Sequence, residues 1–188
     1  MTSVFIGGSR RLGQMNSELA HRLNNIMHKR LCVLVGDANG FDRAAQTYLA
    51  DNRYREVLVY CTLGVCRNNV GDWPLRAIEY DGKDRGREFY TAKDDAMLRV
   101  ADYGLFAWDG KSEGTLRNVR MMAGRQRPSS VYVSPLRTFV TIRTPDDAAK
   151  LSRDMDKQAG LPEELFSDSW RESAPMSHGC EDQSPSAR

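Results

Sequence analysis

A chain of 188 residues with 40% hydrophobic content has enough apolar material for one domain with a proper core. Its 27 Lys and Arg against 25 Asp and Glu leave a formal charge of +2. That balance is too even to signal a polyanion partner through bulk charge, so nucleic acid is not expected as a partner and local patches must carry any anion preference. No apolar run is long enough to span a bilayer, and Met1-Thr2-Ser3 leads straight into strand-forming residues; a soluble, cytoplasmic protein with no membrane partner is expected.

The first strand is expected at Val4-Phe5-Ile6, apolar without polar alternation, as suits a strand buried on both faces of a parallel sheet. Gly7 and Gly8 then allow a tight turn and close approach of a ligand. Ser9 is expected to cap the helix that follows, whose amphipathic segment runs from about Gln14 to Lys29 with Leu19, Leu23, Ile26 and Met27 on its apolar side. A glycine turn at a helix N-terminus offers free N–H groups and the positive dipole end, and Arg10 and Arg11 add full charges. That combination suits phosphate, although it matches neither a dinucleotide fingerprint nor a P-loop.

Leu31 to Val35 reads as the second strand, ending in Gly36-Asp37-Ala38-Asn39-Gly40-Phe41-Asp42 and a helix beginning at Arg43. Asp37 and Asp42 suit ribose hydroxyls, which want acceptors; Asp42 reads equally as a helix cap. Val57 to Tyr60 is the third strand. A long connection from Cys61 to about Glu88 follows, carrying Arg67-Asn68-Asn69, Trp73 and the cluster at 81–87, and it reads as a lid or binding loop. Trp73 is open to two readings, a base clamp or packing against the body. Phe89 to Val100 is expected as a helix with Ala92, Ala96, Met97 and Val100 on one side and Lys93, Asp94, Asp95 and Arg99 on the other.

The fourth strand, Tyr103 to Trp108, stops at Asp109-Gly110-Lys111-Ser112-Glu113-Gly114-Thr115, with a helix from Leu116 to about Gln126. Ser130 to Val133 makes a fifth. Thr138 to Ile142 suggests a small edge strand, and Thr144-Pro145-Asp146-Asp147 starts a helix to about Lys157. The expected domain spans 1–135, with a strand and helix extension over 136–166 and a disordered tail over 167–188. Cys32, Cys61, Cys66 and Cys180 fit no zinc spacing, and reduced thiols are expected. No metal or cofactor is called for by any motif.

About five strand–helix alternations with continuous apolar strands predict an α/β, Rossmann-like doubly wound sheet of mainly parallel strands with helices on both faces. In such a sheet the carboxyl ends of the strands share one edge, where ligands bind at a switch in strand order, so the three glycine turns should converge.

Gly7-Gly8-Ser9-Arg10, Gly36-Asp37-Ala38-Asn39-Gly40-Phe41-Asp42, the Arg67-Asn68 loop, Ala101-Asp102 before a strand and Gly114-Thr115 opening a helix resemble the SLOG superfamily over residues 3 to 134. That group includes the LOG phosphoribohydrolases, DNA-processing protein A and small bacterial nucleotide-sensing proteins, the last being the nearest match. The resemblance implies a nucleotide or nucleotide-derived ligand, bound for sensing or carriage, with phosphate on Gly7, Gly8, Ser9, Arg10, Gly114 and Thr115. It also implies a homo-oligomer. A second resemblance, to nucleoside 2-deoxyribosyltransferases, implies N-glycosidic bond hydrolysis or transfer. Both enzymatic groups place a glutamate where this chain has Asn118, which cannot act as a carboxylate nucleophile. Asp37, Asp94, Asp109 and Glu113 are the remaining carboxylate candidates for that activity. An interaction scaffold with an empty crevice is the third reading.

Overall fold

The computed structural model describes residues 1–64, 66–82 and 86–159. Residues through Arg153 form one compact unit. The chain builds β1 (Ser3–Gly8), α1 (Ser17–His28), β2 (Cys32–Gly36), α2 (Phe41–Asp51), β3 (Val57–Thr62), β4 (Leu75–Ile78), α3 (Arg87–Val100), β5 (Tyr103–Trp108), α4 (Glu113–Gly124), β6 (Ser129–Val133), β7 (Thr138–Ile142) and α5 (Pro145–Ala159). The strands form a single sheet in the order β4-β3-β2-β1-β5-β6-β7. Every pairing is parallel except β6 with β7.

Alternation within β1 explains the two-sided burial. Val4 and Ile6 face the cluster that holds Leu19, Leu23 and Ile26 of α1 and Phe41, Ala45 and Leu49 of α2. Phe5 faces the other side, where its ring meets Phe106 edge-on at 5.1 Å, and α3 and α4 lie over the sheet. Residues such as Leu23, Phe41 and Phe106 are fully buried, each contributing roughly 1.5–3 kcal/mol by leaving water.

Two expectations change and one open reading is decided. The first helix does not follow Ser9: it begins at Ser17 with Asn16 as its cap, whose side chain accepts the Leu19 N–H at 2.8 Å. Ser9 instead ties β1 to β5. The connection after Cys61 is not structureless, because Leu75–Ile78 adds β4 to the sheet edge beside β3. A four-residue strand with only one neighbour and three exposed side chains has no apolar pattern to announce it. Trp73 takes the packing role. It is 5% exposed, its indole donates to the Tyr54 carbonyl, and Asn69 brackets its backbone with two hydrogen bonds. Lys83, Asp84, Arg85, Cys180, residues 160–166 of the expected extension and the expected tail over 167–188 lie outside the described residues. Among the described residues, no helix is long and apolar enough to cross a membrane.

Candidate functional site

From β1 at the centre, the chain steps outward through β2, β3 and β4 on one side and β5, β6 and β7 on the other. The order therefore reverses between β1 and β5, the place where an open sheet leaves a crevice beyond its carboxyl ends. A cavity of about 360 Å³ lies there. Gly7, Gly8, Arg10, Asp42, Asp94, Glu113, Gly114, Thr115 and Asn118 all line it, so residues more than a hundred positions apart meet as the convergence argument expects.

Each turn reaches the cavity for a local reason. A Cβ on Gly8 would stand 2.5 Å from the Ala107 carbonyl and 2.8 Å from the Phe41 ring, so only glycine passes between β5 and α2. Arg10 follows with an exposed guanidinium 5.4 Å from the Tyr90 ring centre. On the far wall, Ser112 caps α4 through the Thr115 N–H and also accepts the Thr115 hydroxyl at 3.0 Å. The Glu113 and Gly114 N–H groups, at the positive end of α4, take no backbone acceptor among the described residues.

Several expected site residues work behind the cavity instead. Ser9 is fully buried; its N–H donates to Ala107 and its hydroxyl to Asp109. Asp109 also accepts the Lys111 and Ser112 N–H groups at 3.0 and 2.7 Å. Burial pushes the Asp109 carboxyl up, but these donors outweigh it and hold it below the usual range. Gly40, at φ +83°, lies where a Cβ would come within 2.4 Å of the Arg10 backbone, and a Cβ on Gly36 would meet the Asp42 carboxylate at 2.6 Å. Both glycines set packing distances.

Asp37 is similarly engaged. Arg67 forks it with two bonds of 3.0 and 2.8 Å and adds its own N–H, while Asn68 donates to the Asp37 carbonyl and to Asn39. Burial raises the Asp37 carboxyl, and the Arg67 bonds with the Lys93 charge bring it below its ordinary value. Asp37 and Arg67 line an adjoining cavity of about 140 Å³, not the larger one. The thiols expected to be reduced, Cys61 and Cys66, are joined as a disulfide with a Cα–Cα distance of 5.3 Å, tethering the Arg67 segment to the end of β3.

Asp42 does not cap α2, whose N-cap is Gly40. Its carboxylate accepts the Ala38 N–H at 3.3 Å from a buried position, and desolvation pushes its pKa up to about 7. Lys93, expected on the polar side of α3, is 5% exposed. Its ammonium lies 3.4 Å from Asp94, 3.8 Å from Asp37 and 3.0 Å from the Tyr90 carbonyl. Asn118 donates to Asp94 at 3.0 Å. Tyr90 and Lys93 line the cavity and were missed in the sequence. Their spacing with Met97, three and then four residues, places all three along one helical stripe, and that is the signal that finds them.

No family model and no curated protein matches the chain. Among solved structures, it is similar to DNA processing protein A from Helicobacter pylori, in a structure described as giving insight into a unique single-stranded DNA binding mode. The TM-score is 0.53 at 18% identity, over 69% of this chain and 64% of that one. The fold is Rossmann-like. At that identity the likeness speaks to architecture, and this chain spans 64% of the neighbour's length. The expectation that nucleic acid is not a partner is nonetheless overturned, because this architecture occurs in a protein that binds single-stranded DNA. The physical error lay in using net charge: a sum near zero averages over the surface, whereas phosphate contacts depend on where cations cluster. Among the described residues, no group of three His, Cys, Asp or Glu could hold a metal ion.

Proposed function

We propose that the cavity at the carboxyl edge binds a nucleotide, free or as one unit of a single strand, for sensing or carriage. The observation that carries this reading is the meeting of Gly7-Gly8, Arg10 and the Glu113-Gly114-Thr115 helix start around one cavity at the strand-order reversal. Phosphate suits the unpaired N–H groups and dipole of α4 together with the Arg10 guanidinium. The sugar suits the opposite wall, where Asp94 and Asn118 offer acceptors and donors. Tyr90, flanked by the Arg10 and Arg67 guanidinium groups at 5.4 and 5.3 Å, supplies a flat surface for a base. Thermal unfolding with a panel of nucleotides tests this. At least one is expected to raise the wild-type midpoint, with the rise abolished in Arg10→Ala; a flat response across the panel refutes it.

A second reading, N-glycosidic bond cleavage, is favoured by Asp42 alone. A carboxyl with a pKa near neutrality, in the same cavity, can hold or release a proton at working pH. Chromatography for free base after incubation with nucleotides separates the two readings, since binding alone releases none.

A further inference from the structure

The opposite edge of the sheet carries a second, larger cavity that the nucleotide reading does not use. Its volume is about 740 Å³, and it opens beneath the first residues of β1, β5 and β6, against the outer face of α1. Arg22, Asn25 and Ile26 of that helix and Lys29 at its C-cap all line it. Their spacing of three, four and seven residues puts two cations at the ends of one helical row about 10 Å long. Arg143, just after β7, adds a third cation from across the opening.

All three cations are exposed, and none forms an ion pair within 4 Å among the described residues. Two nearby carboxylates are hydrogen-bonded to backbone and hydroxyl donors, and the Asp147 charge also acts on Arg143. Asp102 accepts the Ser3 N–H and hydroxyl, and Asp147 accepts the N–H groups of Arg143 and Thr144 at 2.9 Å. Lys29 stands at the end of α1, where the helix dipole by itself favours a cation, but Arg22 lies in the middle of the helix and Arg143 outside any helix. Arg22 is further held over the Phe139 ring at 4.7 Å, which fixes its charge at the cavity wall.

One more feature suits a ligand with a flat apolar body. Tyr103 stands at the opening with 47% of its surface in solvent.

We infer that this amino-edge groove is a second binding site, for the phosphodiester backbone of single-stranded nucleic acid, with phosphates on Arg22, Lys29 and Arg143 and a base against Tyr103. It is separate from the carboxyl-edge cavity and stands whether or not that cavity takes a nucleotide. The test is fluorescence anisotropy of a labelled oligothymidylate strand with the full chain, titrated from about 50 to about 200 mM salt.

For a single strand each neutralised phosphate contributes about 0.7 to the slope of log affinity against log salt. The triple variant Arg22→Gln, Lys29→Gln, Arg143→Gln is therefore expected to lose about 2 from the slope, and Tyr103→Ala to weaken binding several-fold at an unchanged slope. Arg143→Gln alone, on an exposed connection that touches no core group, should lose about 0.7 and guards against a misfolded triple variant. Thymidine monophosphate, added at matched phosphate concentration to the Arg10→Ala variant so that the carboxyl-edge cavity takes no part, should displace the strand poorly; efficient displacement there means that the groove takes a free nucleotide, and overturns the assignment to a strand. A wild-type chain that fails to bind the strand, or a triple variant with the wild-type slope, also overturns it.

Discussion

Asp42 allows the electrostatics of the carboxyl-edge cavity to be tested without knowing its ligand. Its carboxyl is buried beside Gly36 and accepts the Ala38 N–H at 3.3 Å, and among the described residues it forms no ion pair within 4 Å. Burial raises its pKa from 3.8 to about 7, with Lys93 partly opposing and Asp94 and Asp37 reinforcing the rise. The folded chain thus holds this proton more tightly than the unfolded chain does. Stability contributed by the protonated form is complete below about pH 4 and is lost as pH rises to about 7. A shift of about three units at about 1.4 kcal/mol each makes the whole loss on the order of 4 kcal/mol, roughly half of it falling between pH 5.5 and 8. Asp42→Asn keeps the volume and an acceptor for Ala38 while removing the titration, and Lys93 retains Asp37 and Asp94 as partners. Urea unfolding of both proteins at pH 5.5 and pH 8 should show the variant gaining on the wild type by about 2 kcal/mol at the higher pH. A difference that stays constant with pH refutes the argument that burial governs this carboxyl.

Arg67→Ala removes the fork on Asp37 and leaves a buried carboxylate facing Lys93 at 3.8 Å, at an expected cost of about 1–3 kcal/mol in urea unfolding at pH 7. Because the Asp37 carboxyl is held below its ordinary value, that cost should be present above about pH 4 and shrink as pH falls below it. Trp73→Ala should lower stability by about 3–5 kcal/mol through the cavity it leaves, while nucleotide affinity measured by isothermal titration at a temperature well below the unfolding midpoint stays at the wild-type value. A selective loss of nucleotide affinity would return Trp73 to the base-clamp role.

The architecture was legible because each central strand announces itself. Val4-Phe5-Ile6, Val33-Leu34-Val35 and Leu105-Phe106-Ala107 are apolar on both faces, and only a covered parallel sheet buries both. With glycine turns after three of those strands, the meeting of Gly7, Gly8, Gly114 and Thr115 at one edge followed from topology alone. The four residues Leu75-Arg76-Ala77-Ile78, three of them exposed, do not announce an edge strand, so β4 stayed hidden in a long connection. Nor does a local motif say which polar side chain faces a cavity. Ser9, Asp37 and Asp109 belong to the right turns, yet their oxygens take hydrogen bonds from residues roughly 30 to 100 positions away. The same distance in sequence explains Lys93 and Tyr90, which matter only once α3 lies over β1 and β3.

Local chemistry, read residue by residue, was enough to establish a doubly wound sheet and the edge at which its turns gather, because strand burial and turn flexibility are properties of short segments. Packing decided the rest: which carboxylates are paired behind the wall and which one is left buried with a proton near neutrality, and where three cations with almost no net charge behind them stand together at the far edge. Those are sums over neighbours that the chain brings together only when folded, and no window of sequence contains them.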